Sequence, residues 1–336
     1  MIRELQISNF KSVKALDLKC SRINVFIGEP NTGKSNILET IGLLHLFVDQ
    51  HRNFFDDDIL FMLRISQWTQ LFHNHDLSQP VSVTADKMRV ELRYDDEKKQ
   101  IDVYTDKEKT ISLYPDQLII IGDHPQSMRF ALYRFRKRDK FPFWEAKFVL
   151  QPDAPNLMEV IRSRKRLLES LKSLLSKPNL DFVFDLTSRT IRLEWQTPAG
   201  ERFREALYLP YSALSDALQI TIFNLAIVLG NENMVIALEE PETHMSPTHI
   251  KKLAELIAHD ENGNQYFIST YSPYLLMTLL EKTRKDELNV YLTYLKNRET
   301  KVKLLTDKQK EEIHDMGVDI FFNLDKFLEE LKEGVT

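Results

Sequence analysis

The stretch Ile23-Asn24-Val25-Phe26-Ile27-Gly28-Glu29-Pro30-Asn31-Thr32-Gly33-Lys34-Ser35-Asn36-Ile37-Leu38 decides the fold. Its first five residues form an apolar, β-branched and aromatic run of buried-strand type, stopped by a glycine. From Asn36 to Val48 apolar residues recur with helical spacing, Ile37, Leu38, Ile41, Leu44 and Phe47 falling on one side. Between the two, Gly28 to Ser35 satisfies G-x-x-x-x-G-K-[ST] in full. The chemistry asks for these residue types. Gly28 and Gly33 let the backbone turn, so that the N–H groups of the loop, Asn31 and Thr32 included, point inward at an anion. The helix that starts near Lys34 adds its partial positive charge. Lys34 is placed to reach β- and γ-phosphates, and the Ser35 hydroxyl, followed by Asn36, to ligate Mg²⁺. A strand, this loop and a helix predict an α/β P-loop NTPase with ATP and Mg²⁺ as cofactors.

Outward from the loop, Met234-Val235-Ile236-Ala237-Leu238 is a second buried-strand run, ending in Glu239-Glu240-Pro241-Glu242-Thr243-His244. Two adjacent carboxylates at the C-terminal end of such a strand lie where a metal and an attacking water belong. Glu239 is the candidate for holding the metal's water shell. Glu240 is the candidate general base, working with Lys34 as the catalytic pair. Pro241 ends the strand.

Four segments together carry a family resemblance: Asn9-Phe10-Lys11-Ser12-Val13, the loop with Asn36 behind it, Glu239-Glu240-Pro241-Glu242-Thr243-His244 with Pro247, and Ser269-Thr270-Tyr271-Ser272-Pro273. The set resembles the ABC-type "AAA family ATPases", relatives of the RecF, SMC and OLD-family ATPase heads. The likeness is strongest over about residues 1–60 and 205–280. It implies an ABC-type head with an antiparallel β subdomain and a helical insertion. It also implies head-to-tail dimerisation around two ATP molecules, each site completed by a signature segment of the other subunit. The matching segment is Ala213-Leu214-Ser215-Asp216-Ala217-Leu218-Gln219. There the resemblance puts Ser215 against the partner's γ-phosphate, while Ser-Asp before an apolar helix also reads as an N-cap. Two positions depart from the family. The signature glycine is Ala217, and the histidine before Ser-Pro that contacts the γ-phosphate is Tyr271, which lacks proton chemistry near neutral pH. Slow hydrolysis with intact ATP binding is the expectation, with a nucleotide-sensing protein of little turnover as the alternative. A P-loop kinase is a weaker third reading. A Mg²⁺-contacting glutamine is sought in Arg64-Ile65-Ser66-Gln67-Trp68-Thr69-Gln70, where Gln67 and Gln70 stay equal candidates.

The rest of the chain is read as one head over 1–336, with a nucleotide-binding core in 1–75 and 205–336 and a β-rich and helical insertion over 76–204. Strands are expected at Glu4–Phe10, Ala15–Leu18, Val81–Val83, Arg89–Tyr94, Ile101–Tyr104, Leu118–Ile121, Lys147–Leu150, Phe182–Asp185, Thr190–Trp195, Gln265–Ser269, Asn289–Lys296 and Lys301–Leu305. One amphipathic helix is expected over 156–176, its leucines opposite Arg162, Lys165, Arg166 and Lys172, and further helices over Ser215–Leu229 and Pro247–His259. From Arg129 to Lys177 thirteen basic residues face five acidic ones, a local charge of +8 against −13 for the remainder. That asymmetry, with Arg134, Arg136, Lys137 and Arg138 in one run, fits either a DNA backbone or a solvated face. His73-Asn74-His75 and the pair His244 and His249 do not by themselves make a metal site.

Composition closes off other classes. A chain of 336 residues that is 43% hydrophobic can build a core. A single cysteine, Cys20, excludes a disulfide framework or a multi-cysteine zinc site. No run approaches a membrane span, and Met1-Ile2-Arg3-Glu4-Leu5-Gln6 lacks the apolar region of a secretory signal. A cytoplasmic protein without a membrane partner is expected. No coiled-coil arm and no acidic nuclease cluster is found, so any effector activity is expected on another chain.

Overall fold

The computed structural model describes residues 1–49, 56–106, 108–117, 129–175, 179–195, 207–324 and 326–327. The chain opens with strands β1 (Glu4–Phe10), β2 (Val13–Lys19) and β3 (Ile23–Ile27), then helices α1 (Lys34–Leu44) and α2 (Asp56–Leu63). Strands β4 (Val81–Ala85), β5 (Met88–Asp95), β6 (Gln100–Thr105), β7 (Glu108–Leu113) and β8 (Phe130–Tyr133) follow. Next come α3 (Leu157–Ser163), α4 (Lys165–Leu175), β9 (Leu180–Asp185), β10 (Thr190–Trp195) and β11 (Tyr208–Pro210). The last third holds α5 (Asp216–Gly230), β12 (Val235–Glu239), α6 (Pro247–Ala258), β13 (Gln265–Ser269), α7 (Pro273–Lys282), β14 (Leu288–Lys296), β15 (Glu299–Leu304) and α8 (Asp307–Met316).

Among the described residues three sheets result. The central one runs β15-β14-β3-β13-β12-β8, parallel from β14 to β8, with β15 antiparallel on its edge. An antiparallel sheet has the order β2-β1-β4-β5-β6-β7, and a small one the order β11-β10-β9. The two-residue period of strands sorts the central sheet into two cores. Ile23, Val25, Ile27, Tyr133, Ile236, Leu238, Tyr266 and Ile268 face the core shared with α3 to α7. Phe26, Phe130, Leu132, Val235, Ala237, Phe267 and Tyr291 face the other, which α1, α2 and the antiparallel sheet complete. There Phe26 stacks on Phe267 at 6.3 Å and on Tyr291 at 5.3 Å, pairs that each add about 0.5–1.5 kcal/mol beyond the area they bury. Helix α1 is therefore buried nearly all round. Among the described residues no helix is long and apolar enough to cross a membrane.

Some expectations change. The helix expected over 156–176 is two helices, broken at Arg164, whose backbone is extended at φ −108° and ψ 97°. The Arg164 guanidinium leaves the helix face to meet Glu232 at 2.7 Å and the Lys147 carbonyl at 2.7 Å. Lys147–Leu150 forms no strand: Val149 and Leu150 donate instead to the side chains of Asn231 and Asn156. Strand β8 was not expected, because four apolar residues between charged ones carry no period; it pairs in parallel with β12. Leu118–Ile121 lies outside the described residues.

Candidate nucleotide site

The loop between β3 and α1 is shaped by contacts that only glycine admits. Gly28 has φ +145°, and a Cβ on it would lie 2.1 Å from the Thr293 carbonyl oxygen. Gly33 has φ +95°, and its Cβ would lie 2.0 Å from the Thr300 hydroxyl. Thr300 donates to the Thr32 carbonyl at 3.0 Å and pairs with the Ser12 hydroxyl at 2.6 Å, which also accepts from Asn36 Nδ2 at 2.6 Å. The β14–β15 hairpin and the β1–β2 turn thus hold the loop from outside. Thr32 closes the loop by donating to Glu29 O at 2.8 Å, and Asn31 stands exposed at its tip with φ +61°. No side chain caps the N-terminus of α1, so its first N–H groups keep the orientation that suits a phosphate.

Lys34 turns back into this loop. Its ammonium donates to Gly28 O and Glu29 O at 2.8 Å each and to the Tyr271 hydroxyl at 2.7 Å, and lies 4.2 Å from the Tyr271 ring centre. Burial lowers its pKa to about 8 against the attraction of Glu240, Glu29 and Glu239. Tyr271, on the segment after β13, thus sits over the loop. Burial and the nearby Glu240 raise its phenol to about 12, so it stays a hydrogen-bond donor.

The acidic pair ends β12, two strands from the loop in the central sheet. Glu239 is buried against charge: burial disfavours its ionised form, yet Arg134, Arg64 and a hydrogen bond from Ser35 together hold its carboxyl below the usual range. Arg134 and Arg64 each donate to its Oε2 at 2.6 Å. Arg134 also reaches Glu39 of α1 at 2.8 Å, and Lys11 bonds Glu39 in turn, so positive and negative groups alternate from Arg64 to Lys11. An ionised Glu239 bonded to Ser35 is the donor set that a hard, oxygen-seeking Mg²⁺ takes. Glu240 behaves differently. Burial and the charge of Glu239 raise its carboxyl, with Lys34 opposing, a direction that suits a proton acceptor. Its backbone is left-handed at φ +43°. A cavity of about 870 Å³ opens beside the pair; Phe61, Phe135, Phe223, Arg64 and Arg136 help to line it, and the phosphate loop does not.

The structure brings Lys34, Ser35, Glu239, Glu240 and Tyr271 together and leaves other candidates apart. Ser215 is exposed at the start of α5, capping it by accepting from Leu218 N at 3.4 Å, and Ala217 follows in the first turn. Gln70 closes a local turn on Ser66, accepting from its N–H at 2.8 Å, while Gln67 faces solvent. His73 bonds the Lys11 carbonyl at 2.7 Å, and His249 lies 3.3 Å from the Thr221 hydroxyl. Arg64, Arg134 and Thr300 were not read as parts of the site, and Ser12 only as a member of the family motif Asn9–Val13. Arg134 was read with a basic run, and only its charge was visible; that both its partners lie on other elements was not.

Among curated proteins none matches the sequence significantly. Among solved structures the fold is similar to an SMC head bound to the C-winged helix domain of ScpA, with a TM-score of 0.53 at 12% identity over 93% of this chain and 99% of that one. It is also similar to an SMC head domain with an extended coiled coil, bound to the C-terminal domain of ScpA, from Pyrococcus furiosus. That match has a TM-score of 0.53 at 13% identity over 94% of this chain and 98% of the other. At such identities the likeness is one of fold: an α/β ATPase head with a parallel core. The model of the AAA ATPase domain family matches residues 1–189, more than half of the chain, and the protein belongs to that family.

Proposed function

We propose that the protein binds Mg·ATP at this site, hydrolyses it slowly, and dimerises head-to-tail on ATP to license a separate partner. One observation carries the reading: the Lys34 ammonium is held between two loop carbonyls and Tyr271, with the raised Glu240 carboxyl near enough to oppose its loss of charge. In this reading the loop N–H groups and Lys34 orient the phosphates. Glu240 takes the proton of the attacking water, and the Tyr271 hydroxyl donates to the γ-phosphate. Ser35 and Glu239 are the residues that would hold Mg²⁺, which would supply charge neutralisation for the phosphates. Ser215, at the exposed end of the 15-residue helix α5, would meet the partner subunit's nucleotide by helix-terminus attraction.

The structurally similar SMC heads are bound to ScpA domains, which supports a protein partner here as well. A role in DNA maintenance or anti-phage defence, and a place in the cytoplasm, follow by analogy of fold. Duplex DNA is kept as an anionic partner through 129–177.

Phosphate release and molar mass with and without Mg·ATP test this, comparing wild type with Glu240→Gln. The variant should keep ATP affinity, release phosphate at least about 100-fold more slowly, and show more dimer in ATP. The second reading, a nucleotide sensor, draws on Tyr271 at the γ-phosphate position and on Ala217. It gains if wild type and variant both release phosphate at background while ATP still doubles the mass. A mass unmoved by ATP in either protein would end the dimer reading.

A further inference from the structure

Glu242 lies two residues past the acidic pair and is buried, at 8% exposure. Its partners all lie on the segment after β13. Glu242 Oε1 accepts from the Thr270 hydroxyl at 2.6 Å and from the Tyr271 N–H at 3.0 Å. The same Thr270 hydroxyl accepts from Ser272 N at 2.9 Å, and Ser272 caps α7 by accepting from Leu275 N at 3.3 Å. On the other side the Glu240 N–H donates to Ser269 O at 3.0 Å, and Asn224 of α5 holds the Pro241 carbonyl at 2.7 Å. The ends of β12 and β13 are therefore stitched together at two levels. Backbone makes the first stitch, and one side-chain oxygen makes the second.

That second stitch is costly. Glu242 Oε2 is buried with no hydrogen-bond partner among the described residues, and a half-satisfied buried carboxyl works against stability. Strand pairing has already ended at Glu239 opposite Ser269, so the sheet does not require it. What the stitch does determine is the backbone of Tyr271, whose hydroxyl lies 2.7 Å from Lys34 Nζ.

We propose that Glu242 is a positioning residue: its Oε1 sets the Tyr271 backbone so that the phenol stands over Lys34, where it meets the γ-phosphate of bound ATP. The inference rests on the reading of Tyr271 as a phosphate contact. It concerns an acceptor atom rather than a charge, because both donors end on one oxygen. An amide carbonyl at the same place does the same work, and its NH₂ group replaces the oxygen that lacks a partner.

The ratio of ATP to ADP affinity, measured by equilibrium binding with Mg²⁺, reads the γ-phosphate contact without requiring turnover. Tyr271→Phe should lower the ratio roughly tenfold, the loss of one hydrogen bond to a charged group. Glu242→Leu should lower it as much, and the double variant should fall no further, since the phenol is already displaced. Glu242→Gln should stay within about twofold of wild type, a rescue that a requirement for charge would not give. Thermal unfolding accompanies each variant. If Glu242→Leu does not fold, Thr270→Val, which removes one donor from Oε1, should show a smaller fall, and an unchanged ratio there overturns the proposal. An intact ratio in folded Glu242→Leu, or losses that multiply in the double variant, overturn it as well while the Tyr271 reading stands. A silent Tyr271→Phe, with ATP binding still abolished by Lys34→Ala, removes the Tyr271 contact and the role of Glu242 with it.

Discussion

Lys34 carries its ammonium against the pull of burial, and that sets a pH dependence. Its pKa is lowered from 10.5 to about 8. Below about pH 8 the group is charged both folded and unfolded, and the folded state bears the desolvation penalty. Between about 8 and 10.5 the folded protein gives up the proton first, so this group's contribution to stability improves as pH rises. Nucleotide binding has the opposite sign. Phosphate charge restores the ammonium, so binding takes up a proton, and ATP affinity should fall by up to about tenfold per pH unit above 8. Calorimetry in buffers of different ionisation enthalpy should show proton uptake near one at about pH 9 and close to none at about pH 6.5. Uptake absent at both pH values would mean that the lysine is not discharged in the free protein. Residues of this kind were legible in the sequence because their work is done by local backbone. Gly28, Gly33, Lys34 and Ser35 follow one another, and the geometry they need is that of a single turn. Arg64 and Arg134 were not legible as parts of the site, because what makes them so is a carboxylate on β12.

Elements meet at Arg134, which leaves β8 and touches both α1 through Glu39 and β12 through Glu239. All three side chains are buried, at 6%, 1% and 6% exposure. Removing the arginine leaves buried Glu39 with Lys11 alone and buried Glu239 with only the exposed Arg64 as a cation, so Arg134→Met should destabilise the protein by about 3–5 kcal/mol. Arg64 bonds the same Glu239 oxygen, but its side chain is 54% exposed, and Arg64→Ala should cost only about 0–1 kcal/mol. Urea unfolding separates the two; equal losses would show that the exposed partner carries the interior pair. The elements themselves divide along the same line. Strands β3, β12 and β13 and helices α1, α5 and α6 were readable, since a buried parallel sheet and its covering helices impose continuous apolar runs and a 3.6-residue period. The break at Arg164 was not, because the leucines on either side continue one helical stripe, and only the pull of Glu232 and of the Lys147 carbonyl opens it.

Across the whole molecule, the two cores put the loop on one side of a rigid central sheet and leave the start of α5 exposed. The net charge of −13 outside residues 129–177 repels a polyanion from most of the surface. The basic excess within 129–177 is largely spent at home. Arg134 is in the site, Arg136 and Arg138 flank the fully buried Asp153 at 3.4 and 2.7 Å, and Lys137 pairs with Asp216 at 2.6 Å. Charge reversal at 136–138 would strip Asp153 of its partners and report on folding rather than on DNA. Among the described residues, α4 offers a phosphate backbone three exposed cations, Lys165, Arg166 and Lys172, at 89%, 62% and 48% exposure. Their acidic neighbours hold them by surface pairs of about 0–1 kcal/mol, which DNA can displace. Lys165→Glu, Arg166→Glu and Lys172→Glu combined should leave the unfolding transition nearly in place. The same triple variant should abolish duplex binding in ATP and flatten its dependence on salt by about three phosphate contacts. Duplex affinity and salt slope unchanged by this variant would take DNA away from α4.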